Sequence, residues 1–367
     1  MCADRPAAGF AYRDENATPE WKWKMTEVYR ALIGPPSAWT GADLGGPQGV
    51  KQTLTVEAPA AAIQAMDELA LRLKGRDFPS ITREDADHPD LNGVMVRVRQ
   101  AVMDGHGVAL IRGPDPARYD PADYERLYWA LGTHLGKGVI QSQFGDWVAR
   151  VERNPDLPWR GTTTDMELPP HTDFHEIMSL ASISLPESGG VSGFVSSLAV
   201  HDEIFRTRPE LLAPLYEGWW NVSSLDRIRS NRKVPVYCCV DGKVSCFNNR
   251  VFYAKPDEAG ETMPPELVEA LAYMGEVSRR PEMRAGFTME PGDIAFWHNL
   301  QVMHSRTQFE DSGAHRRLLL RLWLNVPGGR PMDEEITARA RIIDEDHIRG
   351  IGGPVISWGG KHKVAAN

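Results

Sequence analysis

"PGDIAFWHNLQVMHSRTQFEDSGAHRRLLLRLWLNV" (residues 291–326) decides how this chain is read. Pro291-Gly292-Asp293 is a turn signal, and the apolar run after it, 293–300, is short enough to be a buried strand. A loop then leads to His304, and further on Arg317 opens an alternating strand. Side chains two apart on a strand share a face, so Arg317, Leu319, Arg321 and Trp323 look the same way. A basic face with apolar walls suits a dicarboxylate, because a planar guanidinium grips a carboxylate through two parallel hydrogen bonds.

A second stretch, "ELPPHTDFHEIMSL" (167–180), places His171 and Asp173 two apart. On a strand they would aim one nitrogen and one oxygen at the same point. Two imidazoles and one carboxylate around a non-haem Fe(II) leave coordination positions open for reactants. The third donor must come from elsewhere, from His175, His201, His298, His304 or His315. Only His304 lies in a setting that also supplies the arginines. Two other readings use the same donors: a zinc hydrolase, and a cupin-like metal-binding protein or metal-dependent isomerase. Neither needs Arg317 and Arg321.

Composition narrows the field. The 367 residues are 42% hydrophobic and 25% charged, ordinary for a globular protein able to bury a large core. A formal charge of −9 argues against a nucleic-acid partner. No apolar stretch approaches the ~20 residues of a membrane span, so no membrane association is expected. The first twenty residues hold no apolar core of a signal peptide. The four cysteines, Cys2, Cys238, Cys239 and Cys246, form no CxxC pair. Reduced thiols and a cytoplasmic location follow.

Along the chain, helices are expected over 21–34, over 60–75 with Ile63, Met66, Leu69, Ala70 and Leu73 on one face, and over Leu91–Met103. "HGVALIRG" (106–113) is a strand, and Asp120 and Pro121 cap a further helix. From about residue 137, strand-like runs recur: "WVARVE", "IMSLASISL", "FVSSLAV", "VPVYCCV", "KVSCFN", "DIAFWHNL" and "RRLLLRLWLNV". Helices are expected at about 199–217 and 265–279. The pattern predicts one domain of mixed α and β structure: a mostly helical part over 1–105, a sandwich or jelly-roll core with helical insertions over 106–330, and a C-terminal tail over 331–367.

The chain resembles the taurine dioxygenase / clavaminate synthase-like family of Fe(II)- and 2-oxoglutarate-dependent oxygenases. The likeness is carried, in the family's order, by "PSAWTGADL", "GHGVALIRG", "LGTHLGKGVIQSQFG", "HTD", "ESGGVSGFVSS", "PGDIAFWHN", "MHSR" and "HRRLLLRLWL". It implies a double-stranded β-helix, a cupin-like jelly roll with the metal inside one mouth. It also implies Fe(II), 2-oxoglutarate and O2, and oxidation of a C–H bond of a small organic substrate with release of succinate and CO2. By position, His171, Asp173 and His304 match the iron ligands. Arg317 matches the arginine that holds the distal carboxylate of 2-oxoglutarate, and Arg321 a second arginine facing the site. Ser192 stands where many relatives have a co-substrate-binding Thr. Halogenating relatives lack the carboxylate ligand, so Asp173 points to oxidation without halide.

Three further residues are candidates for the substrate: His175, if the strand continues past Asp173; Gln141, if it points into the mouth; and Arg250, for an anionic group. Second-layer packing for the first and a solvated face for the others are the competing roles. A small-molecule partner is expected; a homo-oligomer is compatible with the sequence.

Overall fold

The computed structural model describes residues 27–157, 161–225 and 227–351, with two short pairs at 356–357 and 360–361. The first half runs α1 (Gly46–Leu54), α2 (Ala60–Arg72), α3 (Pro89–Met103), β1 (Val108–Arg112), α4 (Pro121–Thr133), β2 (Lys137–Gly138), β3 (Ala149–Glu152), β4 (Leu168–His171) and β5 (Ile177–Ser184). Next come β6 (Ser188–Gly189), β7 (Ser192–Ser196), α5 (Ser197–Thr207), α6 (Leu212–Glu217), β8 (Tyr237–Val240), β9 (Lys243–Cys246), α7 (Pro256–Ala259) and α8 (Pro265–Arg279). The chain continues through β10 (Arg284–Phe287), β11 (Asp293–His298), β12 (Val302–Arg306), β13 (Phe309–Glu310), β14 (Leu318–Asn325) and α9 (Glu334–Gly350).

Two antiparallel sheets form the core. The larger has the order β1-β11-β5-β14-β2, with β3 also on β14; the smaller has the order β10-β7-β12-β4. Strand alternation explains how they are sandwiched. On β11, Ile294 and Phe296 face outward against α2, α3 and α4, while Ala295 and Trp297 face the smaller sheet. On β14, Leu320, Leu322 and Leu324 join the helical side, and Trp323 joins the inner cluster. The smaller sheet turns Val195 and Met303 outward against α5, α6 and α8. The result is the jelly roll expected, with a helical layer outside each sheet. Each fully buried Leu, Ile or Phe contributes about 1.5–3 kcal/mol, so β14 and β11 are firmly held from both faces.

Local signals account for several elements. The Asp120 carboxylate accepts from Ala122 N at 3.0 Å, with Pro121 in the first turn of α4. Gly75, past the end of α2, has φ +73°, where an L side chain is strained. Elsewhere the structure departs from expectation. Of the helix expected over 21–34, the part from residue 27 is irregular; the rest lies outside the described residues. Its backbone is satisfied by a side chain instead: Ile33 N and Gly34 N donate to the Asp202 carboxylate at 2.8 and 3.0 Å. "FVSSLAV" is not one strand. Ser196 Oγ accepts from Ala199 N at 3.0 Å, capping α5 and ending β7. The stretch 331–351 carries α9, whose Ile336 and Ile343 enter the inner cluster.

Candidate metal centre

The smaller sheet brings two histidines together. His171 ends β4 and His304 sits opposite it on β12, with ring centroids 4.2 Å apart. Asp173 lies just beyond β4, its Oδ1 3.9 Å from His171 Nε2. One ligand atom from each of the three lies within 4.8 Å of the others. Strand alternation does not place Asp173, because β4 stops at His171. The turn is pinned from outside: Asn248 N donates to Thr172 Oγ at 2.8 Å, and Asn249 Nδ2 to the Thr172 carbonyl at 3.0 Å.

Each donor is set in a form that suits a cation. His171 Nδ1 donates to the Pro169 carbonyl at 2.8 Å; a carbonyl only accepts, so Nδ1 carries a proton and Nε2 is the nitrogen left to face a metal. Trp323 Nε1 donates to Asp173 Oδ2 at 2.9 Å, which orients the carboxylate and leaves Oδ1 toward His171. Burial pushes the His304 pKa down to about 3; His171 adds to this, Asp173 opposes it, and Arg321 adds again. The ring is therefore neutral, as a ligand must be. Burial alone would raise the Asp173 carboxyl, but His304, His171, Arg321 and the Trp323 N–H outweigh it and hold the group below the usual range. His304 Nδ1 is buried with no hydrogen-bond partner among the described residues. Two imidazoles, that of His304 held neutral, and a charged carboxylate fit a divalent iron.

The three side chains open on a cavity of about 570 Å³. Ser192 and Arg317 line it. Arg317 is only 4% exposed, with its guanidinium carbon 5.2 Å from the Phe309 ring centre. Burial pushes its pKa down to about 9, Arg306 adds to this, and Asp311 opposes it. It remains a cation at neutral pH. Arg306 lines the same cavity and is also buried.

Residues 74–323 match the family described as taurine catabolism dioxygenase TauD, TfdA family. This chain belongs to that family. FR-33289 synthase of Streptomyces rubellomurinus is 28% identical over 326 residues, covering 83% of this chain and 94% of that protein. A taurine hydroxylase-like protein of Stachybotrys chartarum is 26% identical over 304 residues, covering 78% of this chain and 77% of its own. Among solved structures, an asparagine oxygenase with Fe(II), a 3-hydroxyasparagine and succinate superposes with TM-score 0.58 at 14% identity, covering 74% of this chain and 93% of that one. The non-haem iron oxygenase OrfP with Fe and alpha-ketoglutaric acid gives TM-score 0.56 at 18% identity, with coverages of 74% and 94%. The TauD-type protein is thus a non-haem Fe(II)- and 2-oxoglutarate-dependent dioxygenase, and the isomerase and hydrolase readings fall away. Among its described residues no helix is long and apolar enough to cross a membrane.

Within this TauD-family site, not every expected side chain reaches the cavity. His175 does not: it is fully buried, with Nδ1 2.8 Å from Asn325 Oδ1 and Nε2 3.3 Å from Asp344 Oδ1. The expectation of a substrate contact fails because the chain bends after Asp173, so alternation stops there. Gln141 does line the cavity, but its side-chain amide is engaged with the backbone. Its Oε1 accepts from Trp323 N at 2.9 Å, and its Nε2 donates to the Val139 carbonyl at 2.8 Å, so the amide braces β14. Arg250 stands on the rim and donates to the Leu271 carbonyl of α8. Arg321 lies 3.8 Å above the Trp323 ring and donates to the Gln141 carbonyl at 2.8 Å. The remaining histidines are elsewhere: His298 pairs with Glu176 at 3.2 Å, His201 contacts Tyr216 OH at 3.1 Å, and His315 lies 3.8 Å from Glu187. Trp323, Thr172 and Asn248, which hold the ligand turn, carry no recognisable sequence signal. Only the inward parity of Trp323 with Arg321 could have suggested its part.

Proposed function

We propose that His171, Asp173 and His304 hold the iron, that Arg317 and Ser192 hold 2-oxoglutarate, and that a small organic substrate enters between Arg321 and the rim at Arg250. One observation carries this: the His171/Asp173 pair, the distant His304 and a buried guanidinium with an unpaired Nη1 line one cavity. Bound iron would supply dioxygen activation for oxidation of a C–H bond, coupled to decarboxylation of the oxo acid. The chain's own groups do the rest. His171 offers Nε2 because Pro169 holds the Nδ1 proton. Trp323 keeps one Asp173 oxygen occupied, so the other faces the metal position. Arg317, over Phe309 and away from bulk water, binds a carboxylate more strongly than an exposed arginine would. The apolar walls, including Phe174, Phe252 and Ile343, exclude water from the reacting carbon. The free cysteines of the described structure, Cys238, Cys239 and Cys246, fit a reducing, cytoplasmic setting.

The test is anaerobic. Addition of Fe(II) and 2-oxoglutarate should give the weak visible charge-transfer band of a keto acid chelated to iron. Arg317→Gln should weaken 2-oxoglutarate roughly 10–100-fold, as loss of a charge-assisted pair costs about 1.5–3 kcal/mol. An unchanged affinity in that variant, with iron bound, would remove the co-substrate assignment.

A further inference from the structure

Arg306 is a second buried cation at the arginine end of the cavity, and nothing above assigns it a role. It follows His304 by two on β12, so both share the strand's inner face. Its register partner on β7 is Ser192. Its guanidinium carbon lies 4.8 Å from the Phe309 ring centre, the same ring that carries Arg317 at 5.2 Å. Arg306 is 5% exposed and Arg317 4%. Among the described residues neither pairs with a carboxylate. The nearby acids are engaged otherwise: Asp165 with Arg153 at 2.9 Å, and Asp311 with the backbone N of Arg317 at 2.8 Å.

The hydrogen bonds of Arg306 go one way only. Nη2 donates to the Thr164 carbonyl at 2.7 Å and to the Met166 carbonyl. These belong to the segment following Gly161, whose Gly161, Thr162 and Thr164 line the cavity. Nε and Nη1 of Arg306, and Nη1 of Arg317, are buried without a partner. Buried N–H donors are nearly always satisfied, and two adjacent buried cations repel unless an anion lies between them. A clamp for the segment alone would need only the Nη2 donor, not a second charge.

We propose that Arg306 shares the distal carboxylate of 2-oxoglutarate with Arg317 and thereby couples co-substrate binding to the order of residues 161–166. This rests on Arg317 being the co-substrate's anchor. Carboxylate between the two guanidinium groups offsets their repulsion and fixes Arg306, which in turn fixes the carbonyls of Thr164 and Met166. The cavity wall on that side is then set before the substrate arrives.

The experiment uses the full-length Fe(II) protein without oxygen. The affinity for 2-oxoglutarate is read from the charge-transfer band, and the order of 161–166 from hydrogen exchange with and without 2-oxoglutarate. In the wild type, 2-oxoglutarate should slow exchange over 161–166. Arg306→Gln should raise the dissociation constant about tenfold, and Arg306→Lys about threefold, since the ammonium keeps the charge but not the fork. Both should lose the exchange protection. Iron affinity and the thermal midpoint without 2-oxoglutarate report whether each variant folds; if the Gln variant does not, the Lys variant decides. The proposal is overturned if the folded variants bind 2-oxoglutarate within about twofold of wild type, or if wild-type exchange over 161–166 ignores it. Should Arg317→Gln still bind tightly, the anchor itself is wrong; should only the Arg306 variants be silent, Arg317 stands and Arg306 is a structural clamp.

Discussion

The two sheets divide the labour unevenly. The larger sheet is the more continuous: β5 and β14 pair over seven positions from Leu318↔Ser184 to Leu324↔Ile177, with one register shift at its end, between Leu318 and Leu319, and helices cover its outer face. The smaller sheet is broken up. Its edge strand β4 contains Pro169 and Pro170, and the pairing of β4 with β12 shifts register between His304 and Arg306. Yet the smaller sheet holds both histidines, Ser192 and Arg306, while the larger sends in braces, Trp323 and Arg321, from β14, which begins just after Arg317. Side chains that must face a metal or an anion cannot also be the apolar residues that make a strand regular. The larger, more continuous sheet supplies the rigidity that the smaller one lacks.

This contrast can be broken by substitution. The largest effect is expected at the reactive sheet's edge: Asp173→Ala should abolish turnover and lower iron affinity well beyond the ~10–100-fold that loss of an outer partner costs. Iron titration and succinate release would check this, and a nearly intact fold by circular dichroism should accompany it. The larger sheet should respond in the opposite way. Phe296→Ala, fully buried on β11, should cost about 3–5 kcal/mol of stability by denaturant unfolding, with iron affinity little changed in the folded fraction.

A sharper probe sits where the sheets meet. Trp323→Phe removes the N–H on Asp173 Oδ2 together with part of the buried indole, so iron should bind roughly 10-fold more weakly in the folded protein, alongside the packing loss of a large-to-small change. Unchanged iron affinity in the folded variant would make Trp323 a packing residue only. The smallest effect lies behind the larger sheet, after α4. Burial pushes the His134 pKa down to about 4; Arg83 adds to this, while Ala86 and Asp87 oppose it. The unfolded chain therefore takes up this proton first. Stability should be full above about pH 6.5 and fall as the pH drops toward 4, by roughly 1–2 kcal/mol for this half-buried ring. His134→Gln should flatten that dip in pH-dependent unfolding without altering 2-oxoglutarate affinity.

Legibility followed the same division. "IMSLASISL" and "RRLLLRLWLNV" show strand character because β5 and β14 are largely buried and mostly apolar. β4, reading Leu-Pro-Pro-His, and β12, reading Val-Met-His-Ser-Arg, have no such pattern. Their residues were recognisable only as chemistry, through the His-x-Asp spacing and the arginines beyond His304. The helix α9 was missed for another reason: it leads with Glu334 and Glu335, and only a narrow stripe, including Ile336 and Ile343, is apolar. His175 turned away from the cavity and the Gln141 amide was claimed by backbone, because a polar residue near a motif says nothing about which group will claim it.

The amino-acid order alone pointed to the strand-rich jelly roll, to the three proposed metal donors and to the proposed anchoring arginine, since these depend on residue type, motif order and alternation within short segments. Which oxygen of Asp173 is presented, which nitrogen of His171 keeps its proton, and that Arg306 lies beside Arg317 were decided only by the tertiary structure. Those features depend on contacts between residues far apart in the chain, and such contacts exist only once the two sheets have closed on each other.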